Sequence, residues 1–315
     1  MNAFFELPSP FEDLPGRVCL LEPPESAPDA LRERLLAGTY ARPFVVEDHE
    51  KRSLLFNLDF VQSEMKLADP HALDTPYAQA MMAFLLFHTN ARQILMLGLG
   101  GGSLAKFCHR HMPLAQQVVV ETDADVLAFR KSFCIPDDDA RFHVVHADAA
   151  EYVRTQAGSF DVLLVDAYDP SGFSASLRSV SFYADVRRRL AHRGVMVANL
   201  AGDAEARRSH YQLIVEAFGD NVLVLGVDGG ANHVAFAFRD PRFEPRWKWI
   251  ANQAPALRAR YGIDFPALAR RLESAVRHGS ATPPEFFDAP AATPAPAPAS
   301  TPAPASAPAP APAAA

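Results

Sequence analysis

Short apolar runs alternate with longer amphipathic segments through the middle of the chain, from about residue 92 to residue 238. The runs fit strands that are buried on both faces, and the segments between them have the spacing of helices that cover a sheet. The pattern predicts strands at 94–97, 117–121, 142–146, 160–166, 194–200, 221–227 and 232–238. It predicts helices at 103–111, 123–133, 149–157, 179–192 and 204–218.

This alternation predicts a parallel sheet with helices on both faces. Only the segment Asp228-Gly229-Gly230-Ala231 separates the last two strands, so these two must form an antiparallel hairpin. The predicted fold class is therefore α/β: a doubly wound, mostly parallel sheet of the class I methyltransferase-like Rossmann type, ending in an antiparallel hairpin.

The N-terminal part of the chain has a different pattern. Short β-like runs lie at 17–22, 42–50 and 52–60, and the last two have the spacing of a hairpin. Thr75 before Pro76 then predicts the N-cap and first turn of a helix. We expect a small β subdomain over residues 1–70 and an α/β catalytic domain over residues 71–280.

The C-terminal end cannot contribute to a core. From Ala289 onward the chain contains only Ala, Pro, Ser and Thr. Such a composition has little apolar surface to bury and lacks a backbone donor at every proline. We expect a disordered tail over residues 289–315.

Composition excludes several classes of protein. The net charge of -7 argues against a general nucleic-acid binder, whose surface would be basic. The three cysteines predict neither a disulfide framework nor a zinc site, and no group of metal ligands is visible. No apolar stretch reaches the about 18 residues of a membrane span, and the N-terminus lacks the basic region of a secretory signal. We expect a cytoplasmic protein with no nucleic-acid or membrane partner.

A glycine cluster follows the first strand of the predicted sheet. Gly98, Gly100, Gly101 and Gly102 offer either a tight turn or a backbone that a ligand can approach closely. The dinucleotide fingerprint G-x-G-x-x-G fails because its sixth position is Ser103. The form G-x-G-x-G fits, and it is the nucleoside-binding turn of S-adenosyl ligands.

Acidic residues stand at or just after the next three strand ends. Glu121 is placed to accept hydrogen bonds from a ribose diol, and Asp148 to reach an adenine amino group. Asp166 ends the fourth strand, and Asp169 follows before a proline. Each has a structural alternative, since Glu121 or Asp148 alone fits a helix N-cap and Asp169 fits a turn. Their succession along one sheet edge favours a polar ligand.

From about Leu55 to Leu200 the sequence resembles the spermidine/spermine synthases, the polyamine aminopropyltransferases. The most specific match is FDVLLVDAYDPSG, which corresponds to the gatekeeper loop of that family. The other matching segments are at 58–64, 75–81, 97–104, 119–126, 146–153 and 181–183.

The resemblance implies transfer of an aminopropyl group from decarboxylated S-adenosylmethionine, a co-substrate rather than a tightly bound cofactor, to a small polyamine-type amine. Asp166 would accept the proton and Asp169 would help to hold the cationic acceptor. Gln62 and Tyr77 would contact the nucleoside and the acceptor amine, and Gln79 belongs to the same substrate-binding set. The resemblance also implies a homo-oligomer, either a dimer or a tetramer.

Several positions depart from the family pattern. The family's glycine motif carries an Asp that binds the aminopropyl ammonium, and here that position is Gly101. The family's Tyr-His-Glu motif reads Tyr77-Ala78-Gln79, and an Asp after the first motif's Gln appears as Glu64. These changes keep two alternatives open: an S-adenosylmethionine-dependent methyltransferase on the same fold, and a catalytically silent member that binds a nucleoside.

Overall fold

The computed structural model describes residues 4–58, 61–227 and 232–277. The first part of the chain forms a five-stranded antiparallel sheet in the order β1-β2-β3-β4-β5, with one helix, α1, between β2 and β3 in sequence. Its elements are β1 (Phe5–Pro8), β2 (Arg17–Leu20), α1 (Pro28–Leu36), β3 (Phe44–Glu47), β4 (Lys51–Leu55) and β5 (Val61–Lys66). The predicted hairpin is confirmed as β3–β4.

The second sheet has seven strands, with helices before, between and after them. The strands are β6 (Gln93–Leu97), β7 (Gln116–Glu121), β8 (Phe142–His146), β9 (Phe160–Val165), β12 (Leu190–Leu200), β13 (Val222–Gly226) and β14 (His233–Phe238). The helices are α2 (Pro76–Met81), α3 (Ser103–His111), α4 (Ala124–Ala128), α5 (Ala149–Thr155), α6 (Val180–Arg189), α7 (Ala204–Phe218), α8 (Trp247–Tyr261) and α9 (Phe265–Arg277). A small hairpin, β10 (Tyr168–Asp169) and β11 (Gly172–Phe173), follows β9.

The strand order in the large sheet is β13-β14-β12-β9-β6-β7-β8. Strands β12, β9, β6, β7 and β8 are parallel, and β14 pairs antiparallel with both β12 and β13. The doubly wound α/β sheet with a terminal antiparallel hairpin and an N-terminal β sheet is thus confirmed.

Alternate side chains of the central strands enter cores on opposite faces of the sheet. On β6, Ile94 and Met96 join the core formed with α2, α3, α8 and α9, whereas Leu95 and Leu97 join the core formed with α5, α6 and α7. This period of two, with apolar residues in both phases, is why the strands are continuous apolar runs in the sequence.

Three predicted helices are too long, and the one predicted at 149–157 ends two residues early, at Thr155. The predicted helix 123–133 is regular only as α4, because tighter turns replace the helical pattern after Ala128: the amides of Phe129 and Arg130 donate to the carbonyls three residues before them. The predicted helix 179–192 ends with α6 at Arg189. The next residue, Leu190, already pairs with Phe160 of β9, so the sheet ladder replaces the helix there.

Helix α2 begins at Pro76, as predicted, but the expected side-chain cap is wrong. Thr75 makes no hydrogen bond to the backbone of the first turn. Its side chain instead forms a hydrogen bond with the hydroxyl of Tyr77. The start of α2 is therefore explained by Pro76 at the first helical position, whose fixed φ suits a helix, and not by a side-chain cap.

The N-terminal sheet is joined to the large sheet close to the glycine turn. The Arg42 guanidinium binds both carboxylate oxygens of Asp125 at 2.7 Å, and the Ser63 hydroxyl accepts from the amide of Gly101 at 3.0 Å. These contacts place β5, with Gln62 and Ser63, beside the carboxyl ends of the parallel strands.

Two expectations lie outside the described residues: the disordered tail at 289–315 and the turn of the last hairpin at 228–231. The domain boundary near residue 70 stays a prediction. Among the residues that the structure describes, no helix is both long and apolar enough to cross a membrane.

Candidate active site

A cavity lies at the carboxyl ends of β6 and β9, where open α/β sheets bind their ligands. Its polar lining comes from four parts of the chain: Gln62 and Ser63 on β5, Tyr77 on α2, Ser103 at the start of α3, and Asp166 after β9. The cavity is partly open and has a volume of about 30 Å³, which is too small for a whole nucleoside. A nucleoside would therefore extend from this cavity along the open edge of the sheet.

The glycine turn lies against the residue that ends β9. Gly98 has φ +95°, and its amide donates to the carbonyl of Val120 at 2.9 Å. A Cβ atom at Gly98 would lie 2.1 Å from the backbone oxygen of Asp166. Only glycine fits this close approach, so Gly98 fixes the distance between the turn and Asp166.

Gly98 and Gly100 line the cavity, whereas Gly101 and Gly102 pack behind the turn. A Cβ atom at Gly101 would meet the side chains of Ser63 and Phe133 at 2.9 and 3.0 Å. One at Gly102 would meet the Ile135 side chain at 2.5 Å. The backbone at 101 thus has no room for a larger side chain unless its neighbours move.

Glu121 is buried at the end of β7, and both of its carboxylate oxygens accept backbone hydrogen bonds. Oε2 accepts from the amide of Leu99 in the glycine turn, and Oε1 from the amide of Asp123, each at 2.9 Å. The carboxylate therefore shapes the turn. Each oxygen keeps a second lone pair, and Glu121 is not among the residues that line the cavity.

Asp148 acts as the N-cap of α5. Its side chain accepts from the amide of Glu151 at 2.9 Å, which is the structural alternative that the sequence left open. It is not among the residues that line the cavity. An adenine contact would use the carboxylate oxygen that does not cap the helix.

Asp166 follows β9 directly and is held by two hydrogen-bond donors. The Asn199 amide on β12 donates to Oδ1 at 2.9 Å, and the Tyr77 hydroxyl donates to the same carboxylate. Burial raises the pKa of Asp166 above its ordinary value, and these two hydrogen bonds oppose part of that rise. A carboxylate with a raised pKa is a better proton acceptor than an exposed aspartate.

Tyr77 reaches Asp166 from the first turn of α2. Burial, together with the charge of Asp166, raises the pKa of Tyr77 well above its ordinary value, so the phenol stays protonated. A protonated phenol can only approach the carboxylate as a donor. The pair therefore presents one oriented negative charge to the cavity.

Asp169 has a local partner. Its Oδ1 accepts from the amide of Ser171 at 2.8 Å and from the Ser171 hydroxyl at 2.5 Å, across the turn between β10 and β11. It does not line the cavity. Tyr168, in the same hairpin, donates from its hydroxyl to the carbonyl of Asn199 and accepts from the amide of Ala201, each at 2.7 Å.

The two glutamines of the substrate-binding set are separated in the structure. Gln62 lines the cavity. The Gln79 amide instead donates to the carbonyl of Leu73 at 2.8 Å, and its side chain is not part of the lining.

Comparison with known proteins decides the family. Residues 75–231 match the family model of the spermine/spermidine synthase domain. A polyamine aminopropyltransferase from Chromobacterium violaceum is 33% identical over 245 residues, which are 77% of this chain and 94% of that protein. The chain belongs to the spermine/spermidine synthase family.

Solved structures support the fold. A probable spermidine synthase from Corynebacterium glutamicum, 19% identical, matches with a TM-score of 0.56 over 67% of this chain and 84% of that chain. Human methyltransferase-like protein 13 in complex with SAH, 24% identical, matches with a TM-score of 0.51 over 64% of this chain and 93% of that chain. At these identities the likeness concerns the fold, which synthases and methyltransferases share.

The positions that depart from the spermine/spermidine synthase pattern have structural partners. Gly101 is closely surrounded, as described above, and Ala78 is fully buried in the core. Glu64 accepts an ion-pair hydrogen bond from Lys51 at 2.5 Å on the neighbouring strand. None of the three residues lines the cavity.

The sequence pattern did not identify Asn199, which donates a hydrogen bond to Asp166, or the two serines that line the cavity. Asn199 is 4% exposed near the end of β12, and its own side-chain oxygen accepts from the amide of Asn232 at 2.8 Å. A polar residue near the end of the apolar run at 194–200 was the available signal. Ser63 and Ser103 carried no comparable signal, because Ser63 lies between two polar residues and Ser103 directly follows the glycine cluster.

Proposed function

We propose that this protein transfers an aminopropyl group from decarboxylated S-adenosylmethionine to a small polyamine-type amine. The observation that carries the proposal is Asp166, a partly buried carboxylate beside the glycine turn, oriented by Asn199 and Tyr77. An alkyl amine has a pKa of about 10, so at neutral pH it arrives protonated and is not a nucleophile. A carboxylate in this place attracts the ammonium and then accepts its proton.

The transfer step balances without a metal or redox partner. The deprotonated amine nitrogen attacks the aminopropyl carbon bonded to sulfur, and a new C–N bond forms as the C–S bond breaks. The electron pair of the broken bond returns to sulfur, which leaves as the neutral thioether methylthioadenosine. The proton lost by the amine goes to Asp166. Placing the two substrates in line supplies much of the remaining rate.

The other predicted residues take supporting roles in this proposal. Gly98 and Gly100 offer the backbone to the methionine-derived part of the donor. Glu121 takes the ribose hydroxyls with its remaining lone pairs, and Asp148 takes the adenine. Gln62 and Tyr77 contact the bound substrates. Asp169 would hold the acceptor through Oδ2, because Oδ1 is bonded to Ser171, and it does not line the cavity, so we expect it to contribute less than Asp166.

A second candidate is methyl transfer from S-adenosylmethionine. The packing around Gly101 favours it, because this position supplies no carboxylate for the ammonium of a decarboxylated donor and has no room for one. Without a carboxylate at position 101, the site repels the carboxylate of intact S-adenosylmethionine less strongly. The hydrogen-bonded Asp166 argues against the third alternative, a silent nucleoside-binding member.

A thermal-shift comparison of the two donors separates these functions. We expect decarboxylated S-adenosylmethionine to stabilise the protein more than S-adenosylmethionine at the same concentration. A ligand at about 100 times its dissociation constant contributes about 2.7 kcal/mol, which is readily measured. Release of methylthioadenosine on adding amines then identifies the acceptor. A larger shift with S-adenosylmethionine would favour methyl transfer, and no shift with either donor would favour the silent alternative.

A further prediction concerns Asn199, which donates a hydrogen bond to Asp166. Asn199→Ala removes a donor that stabilises the charged carboxylate, so the pKa of Asp166 should rise further. The acidic limb of the kcat/KM profile should then move to higher pH, and the rate at neutral pH should fall about tenfold, as for loss of a hydrogen bond to a charged group. The pH dependence of methylthioadenosine release measures this.

Asn232→Ala serves as the matched control for that variant. It removes only the hydrogen bond that orients Asn199, so the shift should have the same sign and be smaller. An unchanged profile in Asn199→Ala would mean that the observed hydrogen bond does not set the protonation of Asp166.

We also propose that the protein is a cytoplasmic homo-oligomer, a dimer or a tetramer. The three cysteines, Cys19, Cys108 and Cys134, are all unpaired, which suits a reducing compartment. Sedimentation of the purified chain with and without reductant tests the assembly. A monomer under both conditions would contradict it.

A further inference from the structure

A second cavity, of about 430 Å³, opens at the amino ends of the parallel strands, whereas the candidate active site lies at their carboxyl ends. It lies at the amino ends of β9 and β12, where Asp161, Gly194 and Val195 form part of its lining. Asp161 precedes Asp166 by five residues of one strand, which is about 16 Å at 3.3 Å per residue. The two cavities are therefore separate, and the proposed transfer reaction does not use the second one.

The apolar wall of this cavity is a cluster of aromatic rings. Phe238 and Phe243 stack with their ring centroids 3.6 Å apart, and Phe87 meets the two rings edge-on at 5.2 and 5.8 Å. Trp249, on the first turn of α8, completes the wall and is 51% exposed. An aromatic surface of this kind, open to solvent inside a concave site, suits the apolar body of a small ligand.

The lining contains two carboxylates, Asp161 and Asp240, and each has one oxygen that could accept a hydrogen bond from a ligand. Asp161 Oδ2 accepts from the amides of Arg92 and Gln93 at 2.7 and 3.1 Å, which fixes the side chain. Its Oδ1 lies 3.7 Å from the His88 ring, beyond hydrogen-bond distance. Asp240 accepts from the amide of Arg242 through Oδ1, and within the described ranges Oδ2 has no hydrogen bond. An ammonium group could pair with either free oxygen.

The same lining contains a cation that pairs with none of the described acidic side chains. Arg193 precedes Gly194 on β12 and also lines the cavity. Its guanidinium forms no ion pair with any part of the chain that the structure describes. Burial, with a smaller contribution from the charge of Arg193, lowers the pKa of His88 against the opposing effect of Asp161, so His88 is neutral near pH 7 and does not add a second positive charge. A carboxylate is the natural partner of an unpaired guanidinium.

We propose that this cavity binds an amphoteric, amino-acid-like small molecule with an apolar side chain. The ammonium of the ligand pairs with Asp161 or Asp240, its carboxylate with Arg193, and its side chain with the rings of Phe243 and Trp249. Both charges and the apolar body have partners in one concave site. A purely cationic ligand would leave Arg193 unpaired, and a purely anionic one would face two carboxylates.

Three probes that share a phenyl ring test the proposal: phenylalanine, phenethylamine, which has only the ammonium, and hydrocinnamate, which has only the carboxylate. Binding to the full chain is followed through tryptophan fluorescence excited at wavelengths that the probes do not absorb. We expect saturable binding of phenylalanine, with the two single-charge probes about tenfold weaker. Equal binding of phenethylamine and phenylalanine, or no saturable binding of phenylalanine, would overturn the proposal.

Variants separate this site from the active site. Arg193→Gln should weaken phenylalanine about tenfold and leave phenethylamine unchanged. Asp166→Asn should leave phenylalanine binding unchanged, because Asp166 is at the other edge of the sheet. Trp249→Phe should remove the fluorescence response while calorimetry still records binding, since Trp247 is not part of the lining. Equal weakening by Asp166→Asn would place the ligand in the active site and overturn the proposal.

Discussion

Replacing Asp166 with asparagine is expected to lower the rate of aminopropyl transfer about 10³-fold while leaving donor binding nearly unchanged. The amide cannot accept a proton from the ammonium of the acceptor. Its oxygen can still accept the hydrogen bonds that Asn199 and Tyr77 now donate to the carboxylate, so the local structure should persist. Single-turnover release of methylthioadenosine measures the rate, and calorimetry measures the donor affinity.

The pH dependence of this variant distinguishes a proton acceptor from a merely structural residue. Without the carboxylate, transfer depends on the fraction of acceptor that is already deprotonated, and this fraction rises with pH up to the amine pKa of about 10. Activity of Asp166→Asn should therefore increase steadily toward high pH, where the native enzyme has levelled off. A residue that only supported the fold would give a uniformly lower rate without this recovery.

Asp169→Asn is the matched control for Asp166→Asn. It makes the same chemical change three residues away, at a carboxylate that bonds Ser171 and does not line the cavity. We expect a rate loss below tenfold. Unchanged turnover in Asp166→Asn would remove Asp166 from the mechanism, and a larger loss in Asp169→Asn would exchange the roles of the two residues.

The central strands could be predicted because their side chains face a core on both sides. In such strands the side chains on both faces are apolar, so β6 and β9 can be recognised in the sequence as continuous apolar runs. Strand β5 has no such signal, since Val61–Lys66 is mostly polar and only Met65 is buried. It is a strand because its backbone pairs with β4, and that pairing is a long-range property.

The limits of the site prediction have a similar cause. Gly98 and Asp166 follow strands directly, so their place at the sheet edge could be predicted from local pattern alone. Asp148 and Asp169 stand in equally suitable sequence positions, but their side chains have partners within three residues. Asn199 meets Asp166 only because β12 lies beside β9 in the sheet. The contact between Asn199 and Asp166 therefore depends on the strand order, whereas the local partners of Asp148 and Asp169 match the N-cap and turn alternatives that the sequence offered.

Gly98→Ala is expected to cost the most stability of any single methyl group added at the site. Its Cβ would lie 2.1 Å from the carbonyl oxygen of Asp166 and 2.8 Å from the carbonyl carbon, on backbone with φ +95°. Overpacking costs about 1–3 kcal/mol, and the positive φ adds about 1–2 kcal/mol. We expect a loss of about 2–5 kcal/mol, seen as a melting temperature lower by roughly 10 °C, and loss of transfer as the Asp166 backbone is displaced.

Gly158→Ala separates the clash from the backbone strain. Gly158 has φ +109°, and no atom lies within 4 Å of the position that its Cβ would take. This variant should lose only the about 1–2 kcal/mol of the left-handed conformation and should keep full transfer activity. Equal melting temperatures for Gly98→Ala and Gly158→Ala would mean that the turn can move away from β9. The close approach of Gly98 to Asp166 would then not be what aligns the donor turn with the base.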